Sequence, residues 1–156
     1  MRRTTWWAAG RPEHTPVSPV ETAHKIYFED VQMNVPLETP GLTLTETHAA
    51  LFGSLTMSRP AEPGVIPDLI PLCVSSGLGW RVPQPPLVVL AFMGLEWRFL
   101  KSTRVGDTIH SVSKTVAKRS MKEGGVVVEE RSILNQHGEL VQSGRLTLLV
   151  AKRPAS

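Results

Sequence analysis

One cysteine and one tyrosine are all that the 156-residue sequence contains of either type, and only 6% of it is aromatic. Cys73 has no partner for an internal disulfide, and its apolar neighbours read it as a packed small side chain rather than a nucleophile. That usage fits a reducing, cytoplasmic setting. No stretch reaches the roughly 20 apolar residues of a membrane-spanning helix. At the start of the chain Arg2 and Arg3 precede Trp6 and Trp7, but Gly10, Pro12, Pro16 and Pro19 follow, without the apolar core of a secretion signal. Glycine-rich phosphate loops are missing, which sets nucleotide-dependent chemistry aside. The five histidines show no metal-ligand spacing, so neither a metal nor a cofactor is expected. A formal charge of +3, with basic residues spread rather than packed into runs, argues against a nucleic-acid partner.

What is present is organised around VIPDLIPLCVSSGLG, residues 65–79. It is apolar on nearly every face and has no strand alternation, so it reads as a fully buried helix. Pro67 and Asp68 supply the start, Pro71 falls where the first turn tolerates a missing N–H, and Gly77 with Gly79 supplies the stop. After it, residues 87–151 carry long alternating segments that read as strands. A buried helix wrapped by an antiparallel sheet makes the fold α+β. Ligand chemistry is expected at the N-terminal end of the helix, where free N–H groups and the positive end of the dipole collect.

Residues 1–23 are proline-rich and aperiodic, an arm that is flexible or docked on a partner through Trp6 and Trp7. Residues 24–156 form a single domain. Ile26 to Phe28 reads as a short strand and Pro36 to Leu44 as an extended piece. Thr43 and Glu46 spell a T-x-x-E capping box for a helix ending near Met57, with His48, Leu51, Phe52 and Leu55 as its buried stripe. Leu95, Trp97 and Phe99 alternate with Glu96 and Arg98 on a first strand. Strands over 108–119, 126–135 and 139–151 follow, joined by a turn at 120–125 and a hairpin at 136–138, in an antiparallel meander.

Two stretches together resemble the MaoC-like dehydratases, a family with the hotdog fold: TETHAALFGSLT (45–56) and LAFMGLEWRFLKSTRVGDTI (90–109). VSSGLG (74–79) and ILNQHGELVQSGRLTLLV (133–150) also look like the family. The resemblance implies a curved antiparallel sheet around the central helix, pairing into homodimers or into hetero-oligomers with another hotdog protein. It also implies action on acyl groups held as thioesters on coenzyme A or an acyl carrier protein. Hydratases of this family carry an aspartate, an Asn-Pro pair and a histidine in the loop after the first helix. Here Ser58 stands in place of the aspartate, Arg59-Pro60-Ala61-Glu62 replaces the remainder, and no histidine follows before His110.

Hydration needs two groups of separated proton affinity within reach of one substrate, so the usual acid–base pair is missing. The ionisable residues left beside the loop are Arg59, Glu62 and Asp68. Asp68 reads first as a helix cap and second as a base at the mouth of an acyl pocket. The candidate site is therefore Asp68 with Ser58 as catalytic groups, and Arg59, Glu62, Leu69 and Ile70 as substrate contacts. The expected activity is a lyase- or cyclase-type reaction by a non-hydratase route: dehydration, isomerisation or cyclisation of an acyl-thioester or polyketide-like intermediate. The alternatives are a catalytically silent subunit of a hotdog hetero-oligomer and an acyl-ligand binder without turnover. His48 reads as a packing residue and His110 as a half-buried sheet histidine. Ser111 and Lys114 formally spell S-x-x-K but point to opposite faces of a strand. Arg98, Lys101, Arg104, Lys118, Arg119 and Lys122 suit either a solvated sheet edge or attraction of a phosphopantetheine arm.

Overall fold

The computed structural model describes residues 25–58 and 62–154. The Trp6-Trp7 arm and Arg59 lie outside the described residues. Among those described, the order is β1 (Leu37–Glu38), β2 (Leu42–Thr43), α1 (Glu46–Thr56), α2 (Leu69–Leu78), β3 (Val89–Phe99), β4 (Thr108–Met121), β5 (Gly124–Leu134) and β6 (Leu140–Val150), with 3-10 turns at Phe28–Asp30 and Gly79–Arg81. No described helix is long and apolar enough to cross a membrane.

The strands form one antiparallel sheet in the order β1-β4-β5-β6-β3, with β2 also on β4. β4, β5 and β6 are the meander read from the sequence, but β3 pairs with β6 rather than with β4. The chain from β3 must therefore cross the end of the sheet, and that crossing shapes the site. Thr103 accepts from the Ile66 N–H (2.9 Å), Val105 donates to Gly64 O (2.9 Å) and Gly106 donates to Leu44 O (2.8 Å). The crossing segment thus holds both the start of α1 and the lead into α2. The bonds at Ile66, Thr103 and Leu44 satisfy backbone groups of buried residues.

α2 begins four residues later than its apolar run. Ile66 is fully buried but lies outside the helix, in a stretch that bridges Arg104 through Val65. Pro71 has no N–H to offer Pro67 O, and the Ile70 N–H takes that carbonyl instead (2.9 Å). Asp68 occupies the N-cap with helical angles and makes no side-chain cap. Gly79 is the C-cap at which α2 ends, as its place in the sequence suggests, and a 3-10 turn over Gly79–Arg81 follows. The backbone stays right-handed through Gly79 and turns extended at Val82, the residue before Pro83, where proline forbids the helical region to its predecessor. Nor is the helix buried on every face. Ile70, Pro71, Ser75 and Leu78 are buried, while Leu69, Cys73, Ser76 and Trp80 face outward. Cys73 is exposed, contrary to its reading as a packed side chain.

α1 also departs from its pattern. Its N-cap is Thr45, and His48 takes the position expected of a glutamate, accepting the Thr45 N–H on Nδ1 at 3.0 Å. Thr43 instead pairs its hydroxyl with that of Thr108 across β2 and β4 (2.7 Å). Leu51 and Leu55 are exposed rather than buried, and Ala49 and Phe52 make the contact with the core.

Two apolar clusters form the core. Leu44, Ile66, Ile70, Ile109, Ile133 and Val141 form one, edged by Phe52, Val74 and Trp97. Phe28, Val127 and Val150 form the other, beneath the 3-10 turn. Phe28 can lie there because Gly125 has no side chain: a Cβ at that position would meet the ring at 2.0 Å. Lys118 fastens the turn from outside, donating Nζ to Phe28 O (2.9 Å) and Val31 O (3.0 Å).

Candidate functional site

On α1, Glu46, Ala49, Ala50 and Gly53 recur at three- and four-residue spacing and so share one face. That face, with Ser58, Gly64, Val65 and Val105, lines an open cavity of about 430 Å³ in which Glu46, Ala50, Ser58 and Gly64 remain exposed to solvent. Small residues make the space: a Cβ on Gly53 would lie 3.0 Å from Ser58 O, so a larger residue there would push the chain after the helix outward. Met57, in the left-handed conformation at φ 57°, ends α1 and brings Ser58 round to the cavity. Gly64, at φ 76°, makes the opposite turn in a conformation suited to glycine.

The Thr56 hydroxyl donates to Phe52 O (2.8 Å), so its 2.6 Å contact with the Ser58 hydroxyl uses the serine proton. Ser58 has no carboxylate or imidazole partner among the described residues, and activation of a serine nucleophile requires such a base. Glu46 is the one ionisable side chain on the described lining.

The sequence-derived site residues divide. Ser58 lines the cavity; Asp68, Leu69 and Ile70 do not. Ile70 belongs to the core cluster and Leu69 is exposed to solvent. The Asp68 side chain is exposed, and its backbone carbonyl accepts from Gln142 Nε2 at 2.7 Å. Glu62 lies 4.0 Å from Arg104 at the surface. Sequence reasoning missed Glu46, Ala49, Ala50 and Gly53 because it took the larger apolar residues of α1 as the inward stripe. The spacing of the small residues was the available signal.

Three of the six basic residues that suit a phosphopantetheine arm are engaged in other contacts. Lys101 pairs with Glu139 (2.6 Å), Arg104 with Glu62, and Lys118 holds the 3-10 turn. The hydrogen bond from Lys101 holds the Glu139 carboxyl below its ordinary value, and that from Arg145 does the same for Glu130. Both lie away from the cavity. His110 is half-buried on β4, with Nε2 at 3.5 Å from Glu38 Oε1. Ser111 is buried while the Lys114 side chain is half-exposed, as opposite strand faces require. Among the described residues no group of three or more His, Cys, Asp or Glu side chains is arranged to hold a metal.

No family model matches the sequence, and no curated protein matches it. Solved structures do. A monoamine oxidase regulatory protein from Archaeoglobus fulgidus superposes with a TM-score of 0.77 at 28% identity, over 85% of this chain and 99% of that one. A MaoC-like dehydratase from Rhodospirillum rubrum gives 0.71 at 18% identity, over 83% and 99%. The chain has the hotdog fold. A third match, the Mycobacterium tuberculosis protein Rv0216 described as a double hotdog, gives 0.69 at 21% identity, with 85% of this chain covering 46% of that one. Ser58, expected from the sequence resemblance in place of an aspartate, lines the cavity between α1 and the lead into α2.

Proposed function

We propose that this MaoC-like hotdog protein holds an acyl group, carried as a thioester on coenzyme A or a carrier protein, in the cavity between α1 and the lead into α2. It does not hydrate that group by an acid–base pair. The observation that carries this reading is the composition of the cavity: apolar small residues along its length, a hydroxyl already donated to Thr56, and Glu46 as the one ionisable side chain on the described lining. Adding or removing water takes two proton-transfer groups of opposite state. A single carboxylate can take a proton from one carbon and return it to another, so isomerisation or a cyclisation begun by proton removal suits the site better than dehydration.

A second reading is favoured by β3. It forms the edge of the sheet and exposes Val89, Leu90, Phe92, Met93, Leu95 and Phe99. Unpaired edges of this length and apolarity invite another strand. The occupant we assign is a second copy of this chain, paired antiparallel across β3, in keeping with the two hotdog units that Rv0216 joins in one polypeptide. A hotdog partner that retains the acid–base pair would make this chain the silent half of a hetero-oligomer, and co-purification of such a protein would decide for it.

Titration with crotonyl-CoA, followed by calorimetry, tests the cavity. Ala50→Phe fills it from the helix face without touching the core, so binding should disappear while the melting temperature stays close to that of the parent. Undiminished binding in Ala50→Phe would remove the cavity from the account.

A further inference from the structure

We propose that Gln142 is a positioning residue for the cavity wall, held in its working orientation by Trp97. The inference rests on the cavity reading above for its functional meaning. Gln142 lies on β6 beneath the start of α2 and is essentially inaccessible to solvent, at 1% exposure. Its Oε1 accepts the Trp97 indole N–H at 2.9 Å, and its Nε2 donates to the Asp68 carbonyl at 2.7 Å. The indole offers only a donor and the carbonyl only an acceptor, so a single orientation of the amide satisfies both.

Three residues before Asp68 stands Val65, which with Gly64 forms one wall of the cavity. This segment is fixed from two sides. The crossing segment holds it at Gly64 and Ile66 by backbone bonds, and Gln142 holds it at Asp68. The Asp68 side chain adds no cap of its own, and Pro71 removes one N–H from the first turn, so the start of α2 has few other ties. Burying an amide this deeply is unfavourable unless both ends are bonded, and a leucine would fill the space if packing were its whole role. The far end of the link is Trp97, on the open edge strand β3. Whatever pairs with β3 therefore sits against the first member of a chain of bonds that ends at the cavity wall.

Amide hydrogen exchange on the full-length protein tests the link, comparing the parent with Trp97→Phe and Gln142→Leu. Leu95→Ala serves as control, since it thins the same face of β3 without touching the link. In both link variants, exchange of the Ile66 and Ile70 amides should rise about two- to tenfold, the factor that corresponds to the net worth of one hydrogen bond. Amides of β4 and β5 should keep their parental rates, and crotonyl-CoA should bind more weakly by a similar factor. A merely structural role would instead raise exchange throughout the sheet. Parental exchange at Ile66 and Ile70 in Trp97→Phe, or a rise equal to that across the sheet or in Leu95→Ala, overturns the inference. Should Gln142→Leu fail to fold, Trp97→Phe decides alone. Failure of the parent to bind crotonyl-CoA would count against the proposed function, and the exchange result would still decide the positioning role.

Discussion

β3 and β5 are both 11 residues long and both rich in apolar side chains, yet their surroundings differ. β5 has a strand on each side, and none of its residues is exposed. On β3 only Gly94 and Trp97 escape exposure. The difference does not come from composition. It comes from neighbours: β4 and β6 flank β5, whereas β3 has β6 on one side and nothing described on the other. Burial is thus a property of the pairing, and an apolar strand left at an edge marks where pairing is incomplete.

Substitutions that separate the two strands give the largest expected effect first. Ile133→Ala, at the fully buried centre of the main cluster, should cost ~2–5 kcal/mol in denaturant unfolding. Leu95→Ala on β3 should cost well under half as much in the isolated chain; equal losses would mean that β3 is as enclosed as β5. Gly125→Ala comes next. The added methyl would displace the Phe28 ring from the second cluster, with an expected loss of ~1–3 kcal/mol.

The contrast also explains what the sequence revealed and what it did not. The last three strands were legible almost to the residue, because hairpins join them and period-two alternation needs only local turns to set the register. The place of β3 was not legible, since its partner β6 is more than 40 positions away at Trp97 and Gly144. The helix starts were partly legible. Thr45 and His48 build a box that the T-x-x-E pattern puts two residues too early, because an imidazole nitrogen accepts an N–H as a carboxylate does. At the site, Ser58 was reached through its place in the loop, whereas Glu46 was hidden. Small and charged residues on one helix face read as a solvated face, and Glu46 and Ala50 are indeed exposed where they line the open cavity. Asp68 was chosen by its distance along the chain from the helix start, and only the folded structure separates it from the cavity lining.

A smaller effect on stability accompanies a larger one on assembly. Phe92→Lys places a charge on the exposed edge and should change unfolding free energy by no more than ~0.5 kcal/mol. Light scattering at micromolar concentration should nevertheless report a monomer where the parent is a dimer. A parent that is itself monomeric would mean that β3 is left open in solution.

Smallest of all is the pH effect of the outer face. Arg145 holds the Glu130 carboxyl below its ordinary value through a hydrogen bond and its charge. A carboxylate with a lowered folded value stabilises the protein above the ordinary glutamate range, and that contribution is lost as pH falls through the folded value. Glu130→Gln should therefore be slightly less stable than the parent at neutral pH, with the two converging in acid. Thermal melts at a series of pH values check the sign, and a gap that widened in acid would contradict it.

The most direct test of the central claim is the rate at which the purified chain hydrates crotonyl-CoA, measured alongside binding of the same thioester. Each missing acid–base group removes about 10²–10⁴-fold of rate, so the expected result is binding without hydration above the uncatalysed background. Hydration at the rate of an intact hydratase, by this chain alone, would contradict it and show that the cavity contains a proton-transfer pair after all.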